Sequence, residues 1–178
     1  MGNYKNQTLL DHLKDRHLST RLYPTSIIVN ETDVSFLLYN QSGQMVGYQI
    51  YNPNTIIKQS NNPREARYFT YTSGEEAGYW GSEFDFMQFD YVFIVEGVFD
   101  AARLHSLGHP ALAVLGRDPK KLRSFLLCLT QRKIVLADGD KAGKDLIKYG
   151  DSSAIMPNGL DVSDVDETTL ISIIKSLI

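Results

Sequence analysis

Acidic residues fall directly after apolar runs at three places in this chain. Glu96 follows Tyr91-Val92-Phe93-Ile94-Val95, Asp138 and Asp140 follow Lys133-Ile134-Val135-Leu136-Ala137, and Asp161 and Asp164 come shortly after Ala154-Ile155-Met156. Asp100 stands four residues beyond Glu96, one helical turn on, and can face the same spot. Carboxylates ~4 Å apart repel by roughly 4 kcal/mol per pair at an effective dielectric near 20, so such a cluster needs cations or protons. Hard cations that prefer oxygen, Mg²⁺ or Mn²⁺, suit it, and carboxylate-held ions of this kind serve phosphoryl transfer. Gly97, Gly139 and Gly143 permit tight turns beside the acids. The same residues also have a plain structural reading, because Asp and Gly are ordinary turn residues and an acid after a strand often caps the next helix. Two other motifs fail on residues. A calcium loop starting at Asp138 would place Ala142 and Tyr149 at ligand positions, and a phosphate loop at Gly139 to Lys144 is one residue short and lacks the Ser or Thr after Lys.

The elements that must position these acids are short. The run 91–95 is continuous, branched and aromatic, as a strand buried on both faces of a parallel sheet should be. Ala111 to Leu115 and Lys133 to Ala137 repeat the pattern, with Ala154 to Met156 as a weaker fourth. Helices are expected from Asp100 to Leu107, closed by Gly108, from Pro119 to Leu129 under an Asp118 cap, and from Lys141 to Tyr149, closed by Gly150. Alternating strands and helices imply right-handed crossovers and a parallel sheet whose carboxyl edge gathers the acids. Residues 34–39 and 45–50, joined by Asn40-Gln41-Ser42-Gly43-Gln44, instead signal a hairpin, and Ala66 to Tyr71 offers a further strand. Thr8 to Arg16 places Leu9, Leu10 and Leu13 on one helical face. The expected fold class is α/β, a parallel four-stranded sheet with flanking helices over 86–178, preceded over 1–85 by a small mixed α+β part built on a short helix and an antiparallel hairpin.

Composition excludes several classes. With 178 residues, 43% hydrophobic and 22% charged, the chain is an ordinary globular one of one or two small domains. One cysteine, Cys128 in an apolar run, allows no internal disulfide and no zinc ribbon, and is expected to be buried. No apolar stretch approaches the ~20 residues of a membrane span and no signal core opens the chain, so an intracellular, cytoplasmic location is expected. The net charge is −3, yet residues 117–148 hold nine of the 18 Lys and Arg against four acids. A solvated helix face explains such a run as well as a phosphate-binding surface does. Aromatic residues are dense from Tyr68 to Tyr91, a pattern of core packing more often than of base stacking.

Taken together, Glu96-Gly97-Val98-Phe99-Asp100, Asp138-Gly139-Asp140-Lys141-Ala142-Gly143 and Pro157-Asn158-Gly159-Leu160-Asp161 resemble the TOPRIM domain of bacterial and phage DNA primases of the DnaG type. Leu13 to Ser19 looks like the helical signature at the start of the primase core, Gln41 to Tyr48 like its hairpin, and Arg67-Tyr68-Phe69 like its basic strand, so the resemblance spans about residues 9–170. Where the family has Asp-x-Asp as its third acidic motif, this chain reads Asp161-Val162-Ser163-Asp164, and the glycine and arginine usual after the hairpin are replaced by Gln49 to Asn52.

The resemblance implies a metal-dependent nucleotidyltransferase, a minimal primase-type core that makes oligonucleotide primers on single-stranded DNA from nucleoside triphosphates. It makes Glu96, Asp138 and Asp140 catalytic and metal-holding, adds Asp100 and Asp161 to the metal set with Mg²⁺ or Mn²⁺ bound, and makes Arg67, with Arg64 and Lys58 as further candidates, guide template and nucleotides; Arg117, Lys141 and Lys144 are expected to meet phosphates electrostatically. No cysteines remain for a zinc-binding domain, so a separate zinc-domain or helicase protein is an expected partner. Two rival readings keep the same residues: a TOPRIM metal-dependent nuclease, and a non-catalytic nucleic-acid-binding adaptor of a replication complex.

Overall fold

Strands that are apolar throughout and strands that alternate produce two different sheets in this protein. The computed structural model describes residues 8–57, 60, 62, 65–74, 76–116, 118–139 and 144–178. The chain divides into two units, Met1–Gly78 and Tyr79–Ile178. Residues 79–85 therefore lie with the second unit.

In the first unit, helix α1 (Leu9–Asp15) is opened by Thr8, whose hydroxyl accepts the Asp11 N–H at 3.2 Å. It closes on His17, which adopts φ +59°, a left-handed conformation that glycine usually supplies after a helix. The Leu18 N–H reaches back to the Leu13 carbonyl at 2.9 Å to seal that end. Four antiparallel strands follow in the order β1 (Ile27–Val29), β2 (Val34–Tyr39), β3 (Met45–Tyr51) and β4 (Tyr68–Thr72). Burial alternates strictly along β2, where Val34, Phe36 and Leu38 are buried, and the register carries that face across to Tyr51, Gln49 and Gly47 on β3. The short α1 lies on this buried face, with His12 Nε2 2.8 Å from the Tyr51 hydroxyl. Strand β1 was not foreseen, and β4 begins two residues later than Ala66.

The second unit contains β5 (Tyr91–Val95), α2 (Val98–Ser106), β6 (Ala111–Ala113), α3 (Arg123–Cys128), β7 (Arg132–Ala137), α4 (Lys144–Ile147), β8 (Ser152–Ile155) and α5 (Glu167–Leu177). Its four strands are all parallel, in the order β6-β5-β7-β8. This is the expected parallel sheet with flanking helices: α2 packs on β5 and β6, α4 on β7 and β8, and α5 on β8. Val92 to Val95 and Ile134 to Leu136 are fully buried, as their uninterrupted apolar character requires. Trp80 pairs with Ala113 through two backbone hydrogen bonds of 2.9 and 3.0 Å, which covers the β6 edge.

Three expectations need correction. Cys128 is exposed, because Leu122 and Leu126 form the inward face of the 120–128 segment and leave Leu127, at 69% exposure, and Cys128 outside. Asp118 does not cap a helix. The segment begins as a 3-10 turn, Lys120–Leu122, without a side-chain cap, and the Asp118 carboxylate instead takes hydrogen bonds from the Tyr149 hydroxyl and Lys148 Nζ, both at 2.8 Å. The C-terminal helix α5, capped by Asp166 on the Thr169 N–H, was not expected at all. Most of the aromatic cluster packs internally: Tyr79 stacks on Phe125, and Phe84 on His105, each with ring centroids 4.5 Å apart. Among the described residues, no helix is long and apolar enough to cross a membrane.

Candidate functional site

The strand order places β5 and β7 side by side at the centre of the parallel sheet, with the chain leaving β5 toward β6 on one flank and β7 toward β8 on the other. In open parallel sheets the carboxyl ends of the strands at such a reversal are where ligands bind. Glu96 leaves β5 at this point and Asp138 leaves β7, both partly exposed. Two of the three core acids expected from sequence thus arrive on neighbouring strands. The third, Asp140, lies outside the described residues, as do Arg117 and Lys141 and the side chain of Lys144.

Backbone contacts lace the acidic segments together. The Glu96–Gly97 peptide is held at both ends. Its carbonyl accepts the Leu115 N–H at 2.9 Å, and its N–H donates to Asp100 Oδ2 at 3.0 Å. Leu115 makes that bond from a left-handed backbone, φ +59°, a conformation costing roughly 1–2 kcal/mol for a residue with a branched side chain. The other oxygen of Asp100, Oδ1, accepts the Ser163 N–H at 2.9 Å and so reaches the segment that carries Asp161. On the β7 side, the Gly139 N–H donates to the Leu160 carbonyl at 3.0 Å. A Cβ at Gly139 would stand 2.5 Å from the Met156 carbonyl oxygen and 2.6 Å from the Gly159 nitrogen, so only glycine lets the Asp138 turn meet the 156–161 segment this closely.

Asp100 is 5% exposed. Burial raises its pKa to about 6, the Ser163 amide opposes that rise, and the charge of nearby Asp161 adds to it. Glu96 is partly exposed, Asp161 is exposed, and Asp164 is exposed at the end of the 3-10 turn Val162–Asp164. The donors that face this edge are carboxylate oxygens, the chemistry a hard divalent cation takes. Among the described residues, no three of His, Cys, Asp and Glu are grouped closely enough to hold a metal ion by themselves.

The basic residues divide by use. Lys133 pairs with Asp151 at 2.9 Å and Lys148 with Asp118 at 2.8 Å; exposed Lys120 also reaches Asp118, at 3.5 Å, and Lys121 and Arg123 are exposed. In the first unit, Arg67 Nε donates to the Thr55 carbonyl at 3.0 Å and fastens the 52–57 loop; Lys58 and Arg64 lie outside the described residues. Sequence reasoning missed the Asp118–Tyr149–Lys148 cluster. It missed Leu115 too, since nothing in a leucine announces a left-handed backbone.

No protein-family model matches the chain, and neither does any curated protein. Solved structures do. A DnaG catalytic core shares 17% identity over 98% of this chain and 61% of its own, with a TM-score of 0.59. A DNA primase domain from Pseudomonas aeruginosa shares 15% over 98% of this chain and 60% of its own, with a TM-score of 0.60. The Aquifex aeolicus primase, zinc-binding and RNA polymerase domains together, shares 19% over 95% of this chain and 47% of its own, at the same TM-score. This chain spans about three fifths of the length of the first two. The likeness covers nearly all of this chain, and the protein has the fold of the catalytic core of DnaG-type primases.

Proposed function

We propose that this protein is a primase-type catalytic core that joins nucleotides on a single-stranded DNA template with Mg²⁺ or Mn²⁺. The observation that carries this reading is the delivery of Glu96 and Asp138 from the two central parallel strands to the switch point, in a fold shared with primase cores. A neighbouring structure of the same fold is a DnaG primase catalytic domain bound to single-stranded DNA, which favours nucleic acid as the ligand.

In this reading Glu96, Asp138 and Asp140, with Asp161 from the third acidic segment, would hold the ions. The ions supply positive charge against the attacking and leaving oxygens of phosphoryl transfer. The chain's own work is positional. The doubly held 96–97 peptide fixes the direction in which Glu96 leaves β5, and Gly139 keeps the Asp138 turn pressed against the segment before Asp161. Arg117, Lys141 and Lys144 take phosphates, helped by the field of exposed Lys120, Lys121 and Arg123. Arg67, anchored through Nε, offers its terminal guanidinium nitrogens to the template.

The test is incubation with single-stranded DNA, labelled nucleoside triphosphates and Mg²⁺ or Mn²⁺. Oligonucleotide products are expected, reduced at least ~100-fold in Glu96→Gln and in Asp138→Asn. Metal-dependent cleavage without synthesis would assign the same carboxylates to a nuclease. DNA binding with neither activity would leave an adaptor module.

A further inference from the structure

Asp100 differs from the other acids of the edge. Its two oxygens already carry backbone amide bonds, and each bond runs to a segment that bears another acid. Oδ2 takes the N–H of the peptide that Glu96 begins, at 3.0 Å, and Oδ1 takes the Ser163 N–H, two residues beyond Asp161, at 2.9 Å. The carboxylate is buried, whereas Glu96, Asp138 and Asp161 are open to solvent to some degree. Gly97 is shaped around it: the backbone there is ordinary, φ −106° and ψ 157°, yet an added Cβ would stand 2.7 Å from Asp100 Oδ2. The glycine is needed for the carboxylate's seat and not for a turn.

We infer that Asp100 is a positioning residue, a clamp that ties the segment after Glu96 to the segment after Asp161, and that it is not itself a ligand. A carboxylate accepting two amide hydrogens from separate loops fixes both loops before any ion arrives, which is how outer groups tune metal sites. The inference rests on the metal-site reading above. It makes opposite predictions from a ligand role. Removing a ligand charge relieves repulsion and raises the stability of the metal-free protein, whereas removing a clamp lowers it and frees the two amides.

The experiment uses the full chain with Asp100→Asn, Gly97→Ala and Glu96→Gln as three variants. Amide hydrogen exchange and thermal unfolding are measured in EDTA, and Mn²⁺ binding by electron paramagnetic resonance titration. The clamp predicts a lower melting temperature in Asp100→Asn and faster exchange at whichever of the Gly97 and Ser163 amides faces the new NH₂ group, the asparagine oxygen still accepting the other; neither change occurs in Glu96→Gln. It also predicts that Gly97→Ala, which keeps every carboxylate but displaces the one at 100, weakens Mn²⁺ binding on the order of 10-fold. Unchanged exchange with a raised melting temperature in Asp100→Asn, or wild-type Mn²⁺ affinity in Gly97→Ala, would overturn the clamp. If the wild-type protein bound no Mn²⁺, the metal-site reading would fail, while the exchange measurements would still decide what Asp100 holds. Should Asp100→Asn not fold, Gly97→Ala carries both measurements alone.

Discussion

The two sheets of this protein solve the same burial problem in different ways, and only one of them concentrates chemistry. In the antiparallel sheet, burial alternates along β2, and neighbouring strands run in opposite directions, so their ends fall at both edges. In the parallel sheet, β5 and β7 are buried almost throughout and every strand ends at the same edge. A strand buried on both faces can place a reactive side chain only after its last residue. The four parallel strands, three of them largely buried, therefore end along one line, and the antiparallel sheet has no equivalent.

The comparison can be broken at its centre first. Phe93, fully buried on β5, should cost about 3–5 kcal/mol when changed to alanine, while Tyr71, 51% exposed on β4, should cost under ~1 kcal/mol. Denaturant unfolding of the two variants measures the difference, and equal losses would show that the sheets are not buried as described.

His105 tests the packing of the second unit through pH. Burial lowers its pKa to about 4, against the Ala111 carbonyl contact that raises it. The native protein therefore keeps a neutral imidazole while the unfolded chain takes up a proton below the ordinary value of 6.5. Between about 4 and 6.5 the unfolded state binds more protons, so stability falls as pH drops through that window, by on the order of 3 kcal/mol. In His105→Asn this part of the slope should vanish from a series of melting curves.

Two glycines allow a finer contrast. A Cβ at Gly47 would collide with the Tyr71 carbonyl across β3 and β4, and one at Gly139 with the Met156 carbonyl and Gly159. Both alanine variants should lose about 1–3 kcal/mol. Only Gly139→Ala should also lower divalent-ion affinity, as read by Mn²⁺ titration. The smallest effect is expected at His17, where glycine would relieve the left-handed backbone at φ +59°. His17→Gly should change stability by no more than about 1 kcal/mol, in the stabilising direction, in the same unfolding assay.

Whatever depended on short-range pattern was legible in the sequence. The span of β5 matches its apolar run residue for residue, and the hairpin of β2 and β3 lies either side of the turn its Asn and Gly marked. What escaped depended on distant partners or on ambiguous composition. Helix α5 hid because Thr168, Thr169, Ile171, Ile173 and Ile174 are β-branched, which weakens any helical signal. Strand β1 spans only three residues, too short for alternation to show. Asp118 carries the local signature of a cap, but Tyr149, 31 residues away, claims it. Spacing alone placed Asp100 near Glu96. Its bond to Ser163, 63 residues on, could not be read from spacing.

Cys128 has a practical consequence. It is the chain's single thiol, and it stands exposed at the end of α3. The protein thus comes with one native attachment point for a maleimide dye or nitroxide, and a labelled sample would be chemically homogeneous without any mutagenesis. The same exposure makes purification under reductant advisable, since two molecules meeting at that position can cross-link in air.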